Sequence, residues 1–306
     1  MRRRALLTGA AGAVLLGACE SAGEEATGTL RIATGSSGAV YYKYGTAIAA
    51  LARRYLPKVR PSVLQTAASE ENVADLLDDT ADVAFTQADI AGAGHGASPG
   101  RLAALARIYD DYIHIVVAAG GPVQSVADLR GRRVSIGAPG SGTAVTAERI
   151  LSVAGVSVQR VQLGLDDSAA ALKGGYVDAF FFSGGLPVSS ITGLAQAFPI
   201  RLLDLQALVS DLRHNYGDYY AERVVPASTY RGITTVVAVG IANYLVVRSS
   251  MPDLLAYGVT RLLFDGRDEL AKAHQAAARL NIRSAISTPP LPLHTGAARY
   301  YRDQKA

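Results

Sequence analysis

Short apolar runs and stretches of helical period take turns along most of the chain, and this alternation is what most constrains the fold. "LRIATG" (30–35) reads as a strand ending in a glycine turn. After it, Tyr41, Tyr44, Ile48, Leu51 and Tyr55 recur every three or four residues, which is one face of a helix. "SVLQTAAS" reads as a second strand. Ser69 follows as an N-cap, with Glu70 and Glu71 where carboxylates offset the helix dipole, and Val73, Leu76 and Leu77 as the buried face. "ADVAFTQ" (81–87) is a third strand, before a small-residue, glycine-rich segment from Ala88 to Gly100. The cycle restarts with the apolar strand "YIHIVVAAG" (112–120) and a short capped helix, turn and strand in "SVADLRGRRVSIG". A helix from about Gly142 to Val153, strand "VQRVQLG", helix "SAAALKGG" and strand "VDAFFFSG" complete it. Residues 234–250 read as two strands joined near Gly240, and helices from Pro252 and Asp268 close the chain. Two such series, over 30–110 and 120–205, predict βαβ units, mostly parallel sheet and two α/β halves, with the late segments returning to the first.

The strand ends carry the functional signal. "TGSSG" (34–38), "TAASEEN" (66–72), "TQAD" (86–89), "APGSGT" (138–143) and "SGG" (183–185) each follow a strand. Ligands of open α/β sheets bind outside the carboxyl ends of strands, and lobe interfaces are common pockets. Small residues at helix starts leave backbone N–H groups free and let a ligand approach the main chain. Any one of these loops is an ordinary βα turn; five together point to a binding cleft. "VSIGAPGSGTAV" (134–145) has the glycine spacing of a phosphate loop, from Gly137 to Gly142. Thr143 and Ala144 stand where such a loop needs Lys and then Ser or Thr. A nucleotide site, a cradle for another anion and a plain tight turn stay open on these residues.

Other chemistry finds little support. His95, His114, His214, His274 and His294 are scattered without metal-ligand spacing, and His114 in its apolar strand reads as a core residue. There is no Gly-x-Ser-x-Gly elbow. Asp166 and Asp167 precede a helix and read as caps; Asp110 and Asp111 read as a turn between strands. Gly92, Gly94 and Gly96 have the wrong spacing for a dinucleotide fingerprint. No catalytic set, metal site or cofactor is expected. Of the clustered tyrosines, Tyr41 and Tyr44 share the core face, leaving Tyr42 as the one to wrap a ligand.

Composition is that of a folded protein, 49% hydrophobic and 18% charged. The net charge of +4 owes three units to Arg2, Arg3 and Arg4; without them 27 basic residues face 26 acidic ones, which removes the case for a nucleic-acid partner. Those arginines open "MRRRALLTGAAGAVLLGAC", a basic start, an apolar run and a small-residue end at Cys19. This is a signal-peptide layout over residues 1–18, open to general secretory or twin-arginine export. Leu16-Gly17-Ala18-Cys19 resembles a bacterial lipobox, which implies that Cys19 is lipidated and is the first mature residue. Residues 19–28, small and polar, read as a tether.

"IATGSSGAVYY", "TAASEENVADL", "ADVAFTQADIA", "DLRGRRVSIGAPGSGTAVTAERIL" and "AAALKGGYVDAFFFSGGLP" resemble, in order and spacing, the NMT1-like TAXI solute receptors of tripartite (TRAP) transporters, over about 30–250. The resemblance implies a two-lobed periplasmic binding protein of type II-like fold, each lobe a mixed sheet flanked by helices. Residues 29–116 with 232–306 would form lobe I and 117–231 lobe II. It implies a non-enzymatic, monomeric lipoprotein on the outer face of the cell membrane. That receptor binds a glutamate-like or 2-oxoacid-like organic acid or amino acid and hands it to a TRAP permease. A sensor subunit for a membrane kinase, an ABC-type receptor for a sulfonate or thiamine-precursor-like ligand, and an enzyme on the same fold are the rivals. By the resemblance, Ser36, Ser37 and Tyr42 line the first wall, with Ser69 and Asn72 at the next helix start and Gln87 at the third strand end. Ser141, Gly142 and Thr143 donate from the second lobe, where Ser183 and Gly184 face them. The glycine loop is then a carboxylate cradle. Ala39, Ala67 and Ala68 stand where the family usually has glycine, which narrows the cleft.

Overall fold

The computed structural model describes residues 25–304; the expected signal peptide, Cys19 and most of the tether lie outside them. In chain order the elements begin β1 (Gly28–Ala33), α1 (Val40–Tyr55), β2 (Val59–Leu64), α2 (Ser69–Leu77), β3 (Val83–Gln87), α3 (Ala88–Ala97) and β4 (Leu102–Ala118). Next come β5 (Arg133–Ser135), α4 (Gly142–Val153), β6 (Gln159–Val161), α5 (Leu165–Lys173), β7 (Ala179–Gly184) and α6 (Ser189–Ala197). The chain continues through β8 (Ile200–Leu202), α7 (Gln206–Tyr216), β9 (Tyr220–Val225) and β10 (Val236–Arg248). It closes with α8 (Asp253–Asp265), α9 (Arg267–Ala273), α10 (Ile282–Ala285) and α11 (Thr295–Asp303).

The architecture is mixed α/β with two lobes, and the strands form one continuous ten-stranded sheet, eight of them in the order β2-β1-β3-β10-β4-β7-β5-β6, with β8 branching from β4 and β9 from β10. Parallel βαβ pairings occupy the two ends, β2-β1-β3 and β7-β5-β6. Two long antiparallel strands join them. The first half of β4 pairs with β10, and from Tyr112 onward it pairs with β7 and β8. β10 changes partner too, from β9 over 236–241 to β3 over 243–247. Both lobes therefore hang on the same two strands.

On one face of the sheet, α2, α3, α4 and α7 cover an apolar core continuous across both lobes, from Val73 and Leu76 to Ile150 and Leu212. On the other face the core is split. Tyr44, Ile48, Val259, Leu263 and Tyr300 pack α1, α8 and α11 together, while Leu172, Phe180 and Ile191 pack α5 and α6. The gap between those two clusters opens above the middle of the sheet.

Several local expectations are corrected. Asp110 and Asp111 lie inside β4, which begins at Leu102, and not in a turn. Gly240 does not divide 236–248, because it is itself paired on both sides, with Tyr112 of β4 and Ala221 of β9. The segment after Gln87 is helix α3: alanine supplies helical propensity that outweighs its three glycines. Ser69 is the first residue of α2 and not its N-cap; Ala68 holds that position, at φ +98°. Asp166 and Asp167 sit in the first turn of α5, after the Gly164 cap. Tyr55 is exposed, beneath the Arg54 guanidinium, rather than on the buried face of α1.

Candidate functional site

A cavity of about 100 Å³ lies where the split face opens. Its floor crosses the sheet at mid-height. Gln87 ends β3 and pairs with Asn243 of β10; Asn243 pairs with Tyr109 of β4; and two residues on, Asp111 lies beside the end of β7 with Ser183 and Gly184. Its walls are the starts of four helices: Ser36 and Ala39 to Tyr41 before and in α1, Ala67 to Ser69 at α2, Ser141 to Thr143 at α4, and Leu163 with Leu165 at α5. The first N–H groups of a helix have no partner within it, so the cavity sits among helix N-termini from both lobes.

The loop before α4 is shaped by its sequence. Gly137 and Gly140 adopt φ +101° and +73°, a region glycine enters without steric cost. A methyl on Gly137 would meet Thr143 at 2.8 Å. The Ser141 hydroxyl caps α4, accepting from Ala144 N–H at 3.1 Å and donating to Ala138 O at 2.7 Å. Thr143 Oγ1 accepts the Ser183 N–H at 3.2 Å, tying the loop to β7.

Contacts cross the cleft. Glu70 and Glu71 N–H, at the start of α2, donate to Gly140 O at 3.2 and 3.3 Å. Gln87 Nε2 donates to Ser183 Oγ and, at 3.1 Å, to Asp111 Oδ2. Gly142 comes so near that an added Cβ would lie 2.2 Å from Gln87 Oε1 and 2.9 Å from Ser69 Oγ. This is a closed arrangement with glycine at its tightest contact.

Asp111 is the one charged side chain among the lining residues, and it is 3% exposed. Ser183 Oγ donates to its Oδ2 at 2.9 Å. Oδ1 is buried without a hydrogen bond, as are Gln87 Oε1 and Asn243 Nδ2. Burial raises the Asp111 carboxyl to about 6, against the opposing hydrogen bonds from Ser183 and Gln87. Tyr41 donates its hydroxyl to Asn243 Oδ1, and burial pushes its phenol well above the usual range, as it does for Tyr109.

Ser36, Ser69, Gln87, Ser141, Gly142, Thr143, Ser183 and Gly184 all line this one cavity. Ser37, Tyr42 and Asn72 do not. Asn72 instead ties α2 to the strand ends, donating from Nδ2 to Thr34 O at 2.6 Å and Phe85 O at 2.7 Å. Tyr41, assigned to the core, is both core and lining, stacked on Phe85. Sequence reasoning missed Asp111, Tyr109 and Asn243. No local signal singles out Asp111: two adjacent aspartates in a strand point to opposite faces, and only the fold shows which of them meets arginines. Asp110 does, bonding Arg107 at 2.6 Å and Arg223 at 2.8 Å. His114 is buried, its ring hydrogen-bonded to Tyr112 O and Tyr230 Oη, and burial lowers it to about 4. Among the described residues no His, Cys, Asp and Glu group is arranged to hold a metal, and no helix is long and apolar enough to cross a membrane.

The NMT1-like family profile matches residues 32–304. Among solved structures, the chain is similar to the alkanesulfonate-binding protein SsuA from Xanthomonas axonopodis pv. citri bound to MOPS, at 18% identity, covering 91% of this chain and 84% of that one, with a TM-score of 0.52. It is also similar to a putative L-cystine ABC transporter from Listeria monocytogenes, at 14% identity over 81% of this chain and 94% of that one, with a TM-score of 0.54. At these identities the likeness carries the two-lobed fold.

Proposed function

The chain belongs to the NMT1-like family, and on that premise we propose that it is an extracytoplasmic solute receptor, not an enzyme. It closes two lobes, 29–116 with 232–306 and 117–231, on a small organic acid or amino acid and delivers it to a membrane permease. The observation that carries this reading is the cavity itself, small, enclosed by both lobes and walled by helix N-termini. Backbone amides at such ends hold an acid group without a lysine or arginine. The Gly137–Gly142 loop works here as an anion cradle, with Thr143 where a phosphate loop carries Lys.

The closing contacts support the transport role: a permease distinguishes loaded from empty receptor by the lobe arrangement, which Gly140, Gln87 and Ser183 report directly. The TRAP class of permease, lipidation at Cys19 and anchoring to the outer face of the cell membrane belong to the same proposal. They rest on the sequence resemblance. A second reading, an ABC-type sulfonate receptor, is favoured by the fold shared with the Xanthomonas protein bound to MOPS.

A thermal-shift panel on the purified protein tests the proposal, using glutamate, glutamine, 2-oxoglutarate, C4-dicarboxylates, sulfonates and nucleotides. A ligand at about 100 times its dissociation constant adds about 2.7 kcal/mol. A shift with an organic acid or amino acid is the expected result. A shift with sulfonates alone selects the second reading, and a shift with nucleotides alone overturns both.

A further inference from the structure

Asp111 poses a chemical problem that an acid-binding cleft does not solve. Its carboxylate lies on the cavity floor, and no Lys, Arg or His stands among the residues around that cavity. The side chains that face it across the cavity are neutral, Tyr41 from α1, Ser69 from α2, Gln87 from β3, Tyr109 from β4, Thr143 from α4, Ser183 from β7 and Asn243 from β10, and the charge that reaches it from its own strand, Asp110, is also negative. Oδ1 is buried and accepts nothing. A buried carboxylate is costly unless it is paired. A ligand with only anionic groups would add repulsion to that cost, whereas a ligand with a protonated amine would remove it.

The surroundings fit a cation. Tyr41 and Tyr109 line the same cavity, their ring centroids 6.3 Å apart and edge to face. Phe181 and Phe182 line it as well. A carboxylate beside aromatic faces is a favourable setting for an ammonium group. The helix starts at α1 and α4 supply the opposite polarity in the same space.

We propose that the cleft selects a small zwitterion, its ammonium group held by Asp111 and its acid group by the helix N-termini. This rests on the receptor reading and narrows it: amino acids and aminosulfonates are ligands, and 2-oxoacids are not. Asp111 is thus the specificity-determining residue. The zwitterion leaves carboxylate and sulfonate both open as the acid group, so matched pairs that differ only at the amine are the proper probes.

Calorimetric titration of the protein and of Asp111→Asn at neutral pH tests the assignment. The pairs are glutamate with 2-oxoglutarate, alanine with pyruvate and taurine with isethionate. The expected result is that one amine-bearing member binds and its partner binds far more weakly. Asp111→Asn then loses about 30-fold or more in affinity for the amine member and loses the preference within the pair. Ser183→Ala, which removes a hydroxyl donor but keeps the charge, retains the preference. Tighter binding of 2-oxoglutarate, pyruvate or isethionate by the unaltered protein overturns the assignment and leaves the receptor reading standing. So does an amine affinity unchanged in Asp111→Asn. Binding of no pair member by the unaltered protein overturns this assignment, while the receptor reading stands or falls on the wider thermal-shift panel.

Discussion

Two aspartates, Asp89 and Asp111, are buried at 2% and 3% exposure, and both lie where the lobes meet. They differ in what answers their charge. On the continuous-core face, Asp89 Oδ2 receives Arg149 Nη1 at 2.5 Å and the Tyr220 hydroxyl at 2.8 Å, and its Oδ1 accepts the Ile90 N–H. Arg149 also bonds Tyr220 and lies over the Tyr216 ring, so α3, α4, α7 and β9 are stapled together. In the cleft, Asp111 has hydroxyl and amide donors and an empty oxygen. The first carboxylate is satisfied by the fold. The second is left for something that is not part of the chain, and this contrast separates a structural ion pair from a binding group.

The comparison breaks most sharply at Arg149. Replacing it with Met leaves Asp89 buried and unpaired and should lower stability by about 3–5 kcal/mol in urea titrations. Retention of full stability would mean that Asp89 is no more constrained than Asp111. The opposite sign is expected in the cleft. The Asp111 carboxyl is raised to about 6 in the fold, so its ionised form is penalised there; the penalty is absent below the unfolded value near 3.8 and complete above about 6. Asp111→Asn removes the penalty. Compared with the unaltered protein it should gain about 2 kcal/mol on going from pH 4 to pH 8, with no ligand present. A pH-independent difference between the two proteins would show that the carboxylate finds a partner in the empty protein.

Smaller effects sharpen the geometry. Gly142→Ala places a methyl against Gln87 Oε1 and Ser69 Oγ across the closed cleft. It should cost about 1–3 kcal/mol of ligand affinity, with little change in the thermal midpoint of the empty protein, because the clash exists only on closure. An equal loss in both would place the contact in the open form too. Ala68→Gly is the mildest. Ala68 holds φ +98°, a conformation natural to glycine, and relief of that strain should stabilise the protein by about 1 kcal/mol by chemical denaturation. No gain would mean that packing of the Ala68 methyl against the core offsets the strain.

Much of the cavity lining is legible in the sequence. Small polar residues at strand ends are a local signal, and Ser36, Ser69, Gln87, Ser141 and Ser183 indeed line one cavity. Asn72 misled for a related reason. A polar residue at a helix start reads as ligand-facing, yet this one saturates its amide on Thr34 O, Phe85 O and the Thr66 hydroxyl. Tyr42 misled through a false choice, since Tyr41 occupies the core and the cavity wall at once.

The sequence by itself determined the alternating α/β elements, the loops that end the strands and the glycines of the Gly137–Gly142 turn. Period, propensity and backbone sterics act within a few residues. Only the tertiary structure decided that 102–118 and 236–248 are single strands running through both lobes, because strand length here is set by which partners arrive from distant parts of the chain. It alone decided the fates of Asp110 and Asp111. Adjacent in sequence and alike in chemistry, one meets Arg107 and Arg223 and the other lines the cavity, since a strand sends neighbouring side chains to opposite faces and the fold decides what waits on each.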